Sequence, residues 1–189
     1  MNRMTSVTKA VTDNGVSQNV VNEYSTKDSN NVEKDCLTKV THNGFSYNFN
    51  YDLLRNLQSV SVGSQTLITN NYDAETSRLN NTTYGNGDVL AYDYDEFDRV
   101  TAKNYNGTTR YKYSYDGNGA LSYYENRSDL AAGSPSKKEY RYNYDVSGRP
   151  TKVTEYAGAN RNTTNYEYDI EDRLARTEEN VNNGSYFTG

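Results

Sequence analysis

Tryptophan is missing from this 189-residue chain, and cysteine and histidine occur once each, as Cys36 and His42. A lone thiol cannot close an internal disulfide, and one thiol with one imidazole does not make a zinc ligand set, so neither metal nor cofactor is expected. Apolar residues make up 33% of the chain, and 20 of those residues are tyrosine, which excludes an oily, compact core. No apolar run approaches the roughly 20 residues that cross a bilayer, and Met1-Asn2-Arg3-Met4 lacks the apolar segment of a signal peptide. Excess positive charge is also lacking: the net charge is −5, the pI is near 5.0, and no basic stripe offers itself to nucleic acid or an anionic membrane.

Catalytic groupings are equally scarce. His42 stands one residue before the Asn43-Gly44 turn with no Ser or Cys nucleophile in its sequence context, and Cys36 reads as a small buried side chain. Asp93 with Asp95, and Glu178 with Glu179, are carboxylate pairs of the kind glycosidases use, but in a chain with 25 acids they read as solvated surface. No catalytic residue and no enzyme activity are expected. The sequons at Asn81, Asn106, Asn126 and Asn162 carry little weight in an Asn-rich chain.

What the chain does have is tyrosine in a repeated phrase. A Tyr-x-Tyr-Asp signature recurs as Phe49-Asn50-Tyr51-Asp52, Asn70-Asn71-Tyr72-Asp73, Tyr92-Asp93-Tyr94-Asp95, Tyr113-Ser114-Tyr115-Asp116, Tyr142-Asn143-Tyr144-Asp145 and Tyr166-Glu167-Tyr168-Asp169. Its aspartates are spaced by 21, 22, 21, 29 and 24 residues, the length of one supersecondary unit in a repeat array. A mean hydropathy of −1.04 would by itself suggest disorder, but disordered chains are poor in aromatics, whereas here tyrosines alternate between turn residues.

Tyrosines two apart fall on one face of a strand. The Asp-x-x-Gly that follows, as in Asp145-Val146-Ser147-Gly148, reads as a turn: Asp accepts backbone N–H bonds at its first position, and Gly or Asp takes the left-handed conformation. An Arg with an apolar or β-branched stretch, as in Arg99-Val100-Thr101 or Arg149-Pro150-Thr151, then opens a return strand, with Pro150 at its first residue, where a missing N–H is tolerable. A second turn, often Asn-Gly, closes the unit at Asn14-Gly15, Asn43-Gly44, Asn86-Gly87, Asn106-Gly107 and Asn183-Gly184. Two strands and two turns fill a repeat, no helix is needed, and consecutive hairpins extend one antiparallel sheet. The divisions expected are degenerate repeats over 1–43, with Tyr24 in a degraded first strand; the array over 44–178, with an insertion near 126–138; and the start of a further truncated repeat over 179–189.

Tyr-x-Tyr-Asp-x-x-Gly-Arg followed by Leu, Val or Pro, most completely Tyr142 to Val153, resembles the YD repeat of the rearrangement-hotspot (RHS) family, whose members include toxin-shell, wall-associated and teneurin-like proteins. The resemblance implies an all-β fold: tandem antiparallel hairpins in a curved continuous sheet, a segment of a β-spiral shell. It also implies a secreted or surface-exposed parent protein, with the remaining repeats and a toxin cargo as partners. The Arg slot departs from the pattern at Asn56, Ala120 and Cys36, the Gly slot departs at Arg55, Asp98 and Asp172, and the proline-bearing core motifs of bacterial toxin members are missing.

Two functional readings follow. In the first, Tyr92, Tyr94, Tyr113, Tyr115, Tyr142, Tyr144, Tyr166 and Tyr168 form the packing surface of a non-enzymatic shell segment, with Asp95, Arg99, Asp145, Gly148, Arg149, Asp169 and Arg173 as its turn and pairing positions. In the second, the same tyrosines are a stacking platform for a glycan or cell-surface receptor. An array cut in mid-pattern would also leave two sheet edges open to edge-to-edge self-association.

Overall fold

The computed structural model describes residues 6–13, 16–24, 35–127, 137–181 and 184–188. Among these there is no helix, and no segment has the length and apolarity of a membrane-crossing helix. Met1 to Thr5, the Asn14-Gly15 turn, residues 25–34 after Tyr24, most of the insertion read near 126–138 (residues 128–136) and Asn183 lie outside the described residues.

Contacts divide the chain into two units, Met1–Ala91 and Tyr92–Gly189. The first holds β1 (Ser6–Asp13), β2 (Val16–Tyr24), β3 (Leu37–His42), β4 (Phe45–Tyr51), β5 (Leu57–Val62), β6 (Gln65–Tyr72), β7 (Leu79–Tyr84) and the beginning of β8 (Val89–Tyr94). The second holds the end of β8, then β9 (Val100–Tyr105), β10 (Thr108–Tyr115), β11 (Leu121–Asn126), β12 (Lys138–Tyr144), β13 (Pro150–Ala157), β14 (Asn160–Tyr168), β15 (Leu174–Val181) and β16 (Gly184–Thr188). In each unit every strand pairs antiparallel with its neighbours in sequence, so both are plain meanders of hairpins.

The alternation in sequence becomes an alternation of faces. Along β10, Tyr111, Tyr113 and Tyr115 are half-buried and Lys112 and Ser114 exposed; along β12, Tyr140, Tyr142 and Tyr144 are half-buried and Arg141 and Asn143 exposed. In the first unit the corresponding face carries Phe49, Val60 and Ile68, which are directly paired across β4, β5 and β6, and the other face carries Asn50, Ser59, Thr69 and Thr83. Among the described residues only Ala102, Thr82, Glu125 and Thr154 are buried, and none of them completely. Stabilisation therefore comes from side chains lying against cross-strand neighbours.

Two turn geometries alternate. In the first, the aspartate N–H donates to the carbonyl four residues on and its carbonyl accepts from the N–H three residues on, as in Asp145 with Arg149 and Gly148. This is a type I turn closed by a left-handed residue. The left-handed position is filled by Gly119 and Gly148, but also by Arg55, Asp98 and Asp172, all with φ between 63° and 86°. A non-glycine side chain is strained there. The second geometry is a two-residue turn: Asn43-Gly44 and Asn106-Gly107 both have positive φ, the type I′ signature. Asn86-Gly87 departs from this expectation. Its hydrogen bonds, Asp88 carbonyl to Tyr84 N–H and Tyr84 carbonyl to Gly87 N–H, are those of the longer turn, leaving only Gly87 left-handed.

Arg55 combines the left-handed conformation with a bulky side chain, so Arg55→Gly is expected to stabilise the first unit by about 1 kcal/mol. A rise in the urea midpoint with unchanged slope is the measurement.

Candidate functional site

In five of the six phrases the tyrosine before the aspartate does two things. Its backbone stands opposite the first residue of the return strand in its own hairpin, just past a bulge: Tyr51 faces Leu57, Tyr72 Leu79, Tyr115 Leu121, Tyr144 Pro150 and Tyr168 Leu174. Its hydroxyl reaches back to the preceding hairpin and donates to the carbonyl of that hairpin's equivalent residue. The bonds are Tyr51 to Leu37 (2.9 Å), Tyr72 to Leu57 (3.0 Å), Tyr115 to Val100 (2.9 Å), Tyr144 to Leu121 (2.8 Å) and Tyr168 to Pro150 (2.9 Å). Tyr24 stands opposite Leu37 in the same bulged register, which identifies β2 and β3 as the hairpin before the first clear phrase.

Three of the phrase aspartates form a charge clamp with the arginine four residues on. Asp145 Oδ1 accepts the N–H groups of Ser147 and Arg149 and its Oδ2 accepts Arg149 Nε at 2.7 Å; Asp95 with Arg99 and Asp169 with Arg173 repeat the pattern, each at 2.8 Å. The backbone N–H of Arg149 and its guanidinium hold the Asp145 carboxyl below the usual range, and Arg173 does the same for Asp169. At Asp95 burial works the other way but is outweighed by the same bonds from Arg99. The guanidinium then lies over the next repeat's tyrosine, Arg99 4.5 Å from the Tyr115 ring centre and Arg149 4.6 Å from that of Tyr168. Arg149 also meets Asp172 of the following turn, and the exposed Arg173 pairs with Glu171. Gly148 serves this clamp as its left-handed turn residue.

The first tyrosines of the phrases are brought together differently. Lys103 sits between the Tyr92 and Tyr113 rings at 6.0 and 5.9 Å, Tyr92 tilts against Tyr94, and Tyr113 stacks on Tyr124, which stacks in turn on Tyr111 and Tyr140. Burial raises the hydroxyl pKa of Tyr113, Tyr124, Tyr140, Tyr142 and Tyr144, so these hydroxyls stay protonated in ordinary buffers. Tyr166 stands on β14 opposite Thr177, outside these stacks.

The opposite face of the second unit holds a group that sequence reasoning missed. Glu125 is 3% exposed. It accepts a 2.7 Å bond from Tyr123 and pairs with Arg127 and, at 3.4 Å, with Lys137, which also meets Glu139. Burial alone would raise its pKa. The hydrogen bonds of Arg127 and Tyr123 overcome that and hold it at about 2. A lone glutamate in a strand carries no signal of this; Arg and Lys on either side of the predicted insertion were the only hint. Of the glycosidase-like pairs, Asp93 and Asp95 take different partners: Asn104 donates to Asp93 across the sheet at 3.0 Å while Asp95 turns to Arg99. Among the described residues no group of three His, Cys, Asp or Glu is placed to hold a metal ion.

No family model and no curated protein matches the sequence. Solved structures do match in fold. A complex of TcdB2, TccC3 and Cdc42 superposes with a TM-score of 0.68 at 16% identity over 89% of this chain, and a TcdB2–TccC3 structure with 0.66 at 18% over 89%. The Tc holotoxin pore of Photorhabdus luminescens, carrying a substitution in TccC3, gives 0.64 at 17% over 91%. This chain spans about a tenth of each of those chains, 10%, 10% and 11%. At such identities the likeness is one of fold.

Two outcomes are expected. Tyr144→Phe keeps the ring and deletes only the bond between repeats, so it should cost about 1 kcal/mol, whereas Tyr144→Ala should cost about 3 kcal/mol; urea midpoints separate them. Glu125 has a folded pKa near 2 against an unfolded value of about 4.3, so its contribution is complete above the unfolded value and is lost as pH falls from about 5 towards 2. Glu125→Gln should therefore lower stability at neutral pH and flatten the stability profile across that acid window, read by urea denaturation at stepped pH.

Proposed function

We propose that this chain is a non-enzymatic structural stretch of a YD-repeat shell, whose parent protein is secreted and uses the shell to enclose or carry a C-terminal toxin cargo. The observation that carries this is the hydroxyl bond from five of the six phrases to the preceding hairpin. Each repeat is completed by its predecessor, an arrangement suited to building a long wall. The likeness of fold to chains of Tc toxin complexes agrees with that use. In this reading residues 44–178 are the regular array and 1–43 are degenerate repeats. The half-buried tyrosines are wall material, and the Asp–Arg clamps are fastenings between turns. Partners are the neighbouring repeats and the cargo.

Limited proteolysis of the full parent protein tests the proposal. The segment following the array should resist protease until denaturant opens the repeats, and then be cut together with them. A segment that is cut at native rates, with the array intact, would overturn the enclosing role. A glycan array probed with the chain addresses the adhesion reading: saturable binding lost in Tyr113→Ala would favour a surface-recognition module.

A further inference from the structure

Two Asp–Arg clamps of this chain place a guanidinium in one fixed setting: beside the aspartate that opens the turn and over the tyrosine of the next repeat, as Arg99 and Arg149 do over Tyr115 and Tyr168. The turn that opens at Asp52 has the same frame with asparagine at the arginine position. Its backbone bonds are the same, Asp52 N–H to the Asn56 carbonyl and Arg55 N–H to the Asp52 carbonyl. The next tyrosine, Tyr72, is placed the same way, its hydroxyl on the Leu57 carbonyl. But the Arg slot holds Asn56, whose short amide replaces only the nearest part of an arginine, donating to Asp52 Oδ2 at 2.9 Å.

Beside Asn56 there is a cleft of about 250 Å³, lined among others by Asp52, Asn56, Asn70, Tyr72 and Asp73. Its lining is acidic and amide-rich, and no described cation covers the Tyr72 ring. Asp73 adds a second carboxylate: its Oδ1 accepts Glu75 N–H, Thr76 N–H and the Thr76 hydroxyl, while its Oδ2 accepts nothing from the described residues. The N–H and hydroxyl of Thr76 hold that carboxyl below its ordinary value, keeping it charged. An aromatic face beside a carboxylate oxygen without a donor suits a flat, multiply donating cation that stacks as well as it hydrogen-bonds, a description that fits guanidinium better than ammonium.

We propose that the cleft above Tyr72 is a guanidinium-binding site that takes an arginine side chain from a partner polypeptide, the group that Arg99 and Arg149 supply from within the chain in other repeats. The partner's arginine stacks on Tyr72 and donates to Asp73, completing in trans a fastening that the chain elsewhere completes in cis. This site is independent of the shell reading and stands or falls on its own measurement.

N-acetyl-arginine amide, titrated into the chain, is the probe, with Tyr72 ring and Asn56 amide resonances as the readout. A saturable shift in the millimolar range is expected, at least about tenfold weaker with the uncharged citrulline analogue, because the charged donor is lost. Asn56→Arg should fill the site from within, abolishing the shift while keeping or raising the urea midpoint, and Asp73→Asn should weaken binding severalfold without unfolding the turn. Shifts that do not saturate, that are equal for the citrulline analogue, or that survive both substitutions unchanged would overturn the proposal. So would a response to calcium with none to the arginine probe.

Discussion

A sheet one strand-layer deep has little interior, and its hairpins need something besides the backbone ladder to fix each one to the last. In this chain that role falls, in five of the six phrases, to the tyrosine hydroxyl. By donating to the carbonyl at the root of the preceding return strand, it joins a point just past one bulge to the equivalent point of the neighbouring hairpin. The bulge is what makes the reach possible, since the register shift between Asn143 and Tyr144, or Ser114 and Tyr115, re-aims the side chain along the sheet. A phenylalanine would pack as well but would leave that carbonyl without its bond.

The charge clamps are secondary to this, and the sequence tolerates their variation. Ala120 occupies an Arg slot, and there Asp116 still accepts the N–H groups of Asn118 and Ala120. At Asp73 the turn is one residue longer, and the aspartate N–H donates to the carbonyl of Arg78, five positions on. The aspartate therefore acts first as a cap on its own turn, and the arginine adds a stacked cover to the next ring. Glu125 belongs to a different device. It is a buried carboxylate fastened to Arg127 and Lys137, which stand on either side of the irregular step between two repeats.

Much of this was legible in the sequence, because the signals are local. The period of the phrase gave the hairpin meander, alternation gave the faces, and Asp-x-x-Gly and Asn-Gly gave the turns at Asp145 and Asn43. Turns at Gly63 and Gly158, whose positive φ falls on the glycine, were less visible because no Asn precedes it. The relations between repeats were not legible. Alternation cannot distinguish a tyrosine that packs from one that also donates, and it cannot reveal that Tyr124 gathers Tyr111, Tyr113 and Tyr140 into one stack. Nor does a strand glutamate such as Glu125 announce its burial, since that depends on which cations the neighbouring strands bring to it.

The functional reading rests on the same coupling, because a wall of repeats is only as continuous as the bonds between them. The most direct measurement is hydroxyl-proton NMR at low temperature. Tyr51, Tyr72, Tyr115, Tyr144 and Tyr168 should give slowly exchanging hydroxyl protons with cross-relaxation to the residues whose carbonyls they meet: Leu37, Leu57, Val100, Leu121 and Pro150. Hydroxyl protons exchanging as fast as that of the exposed Tyr84 would contradict the claim that these tyrosines fasten one repeat to the next.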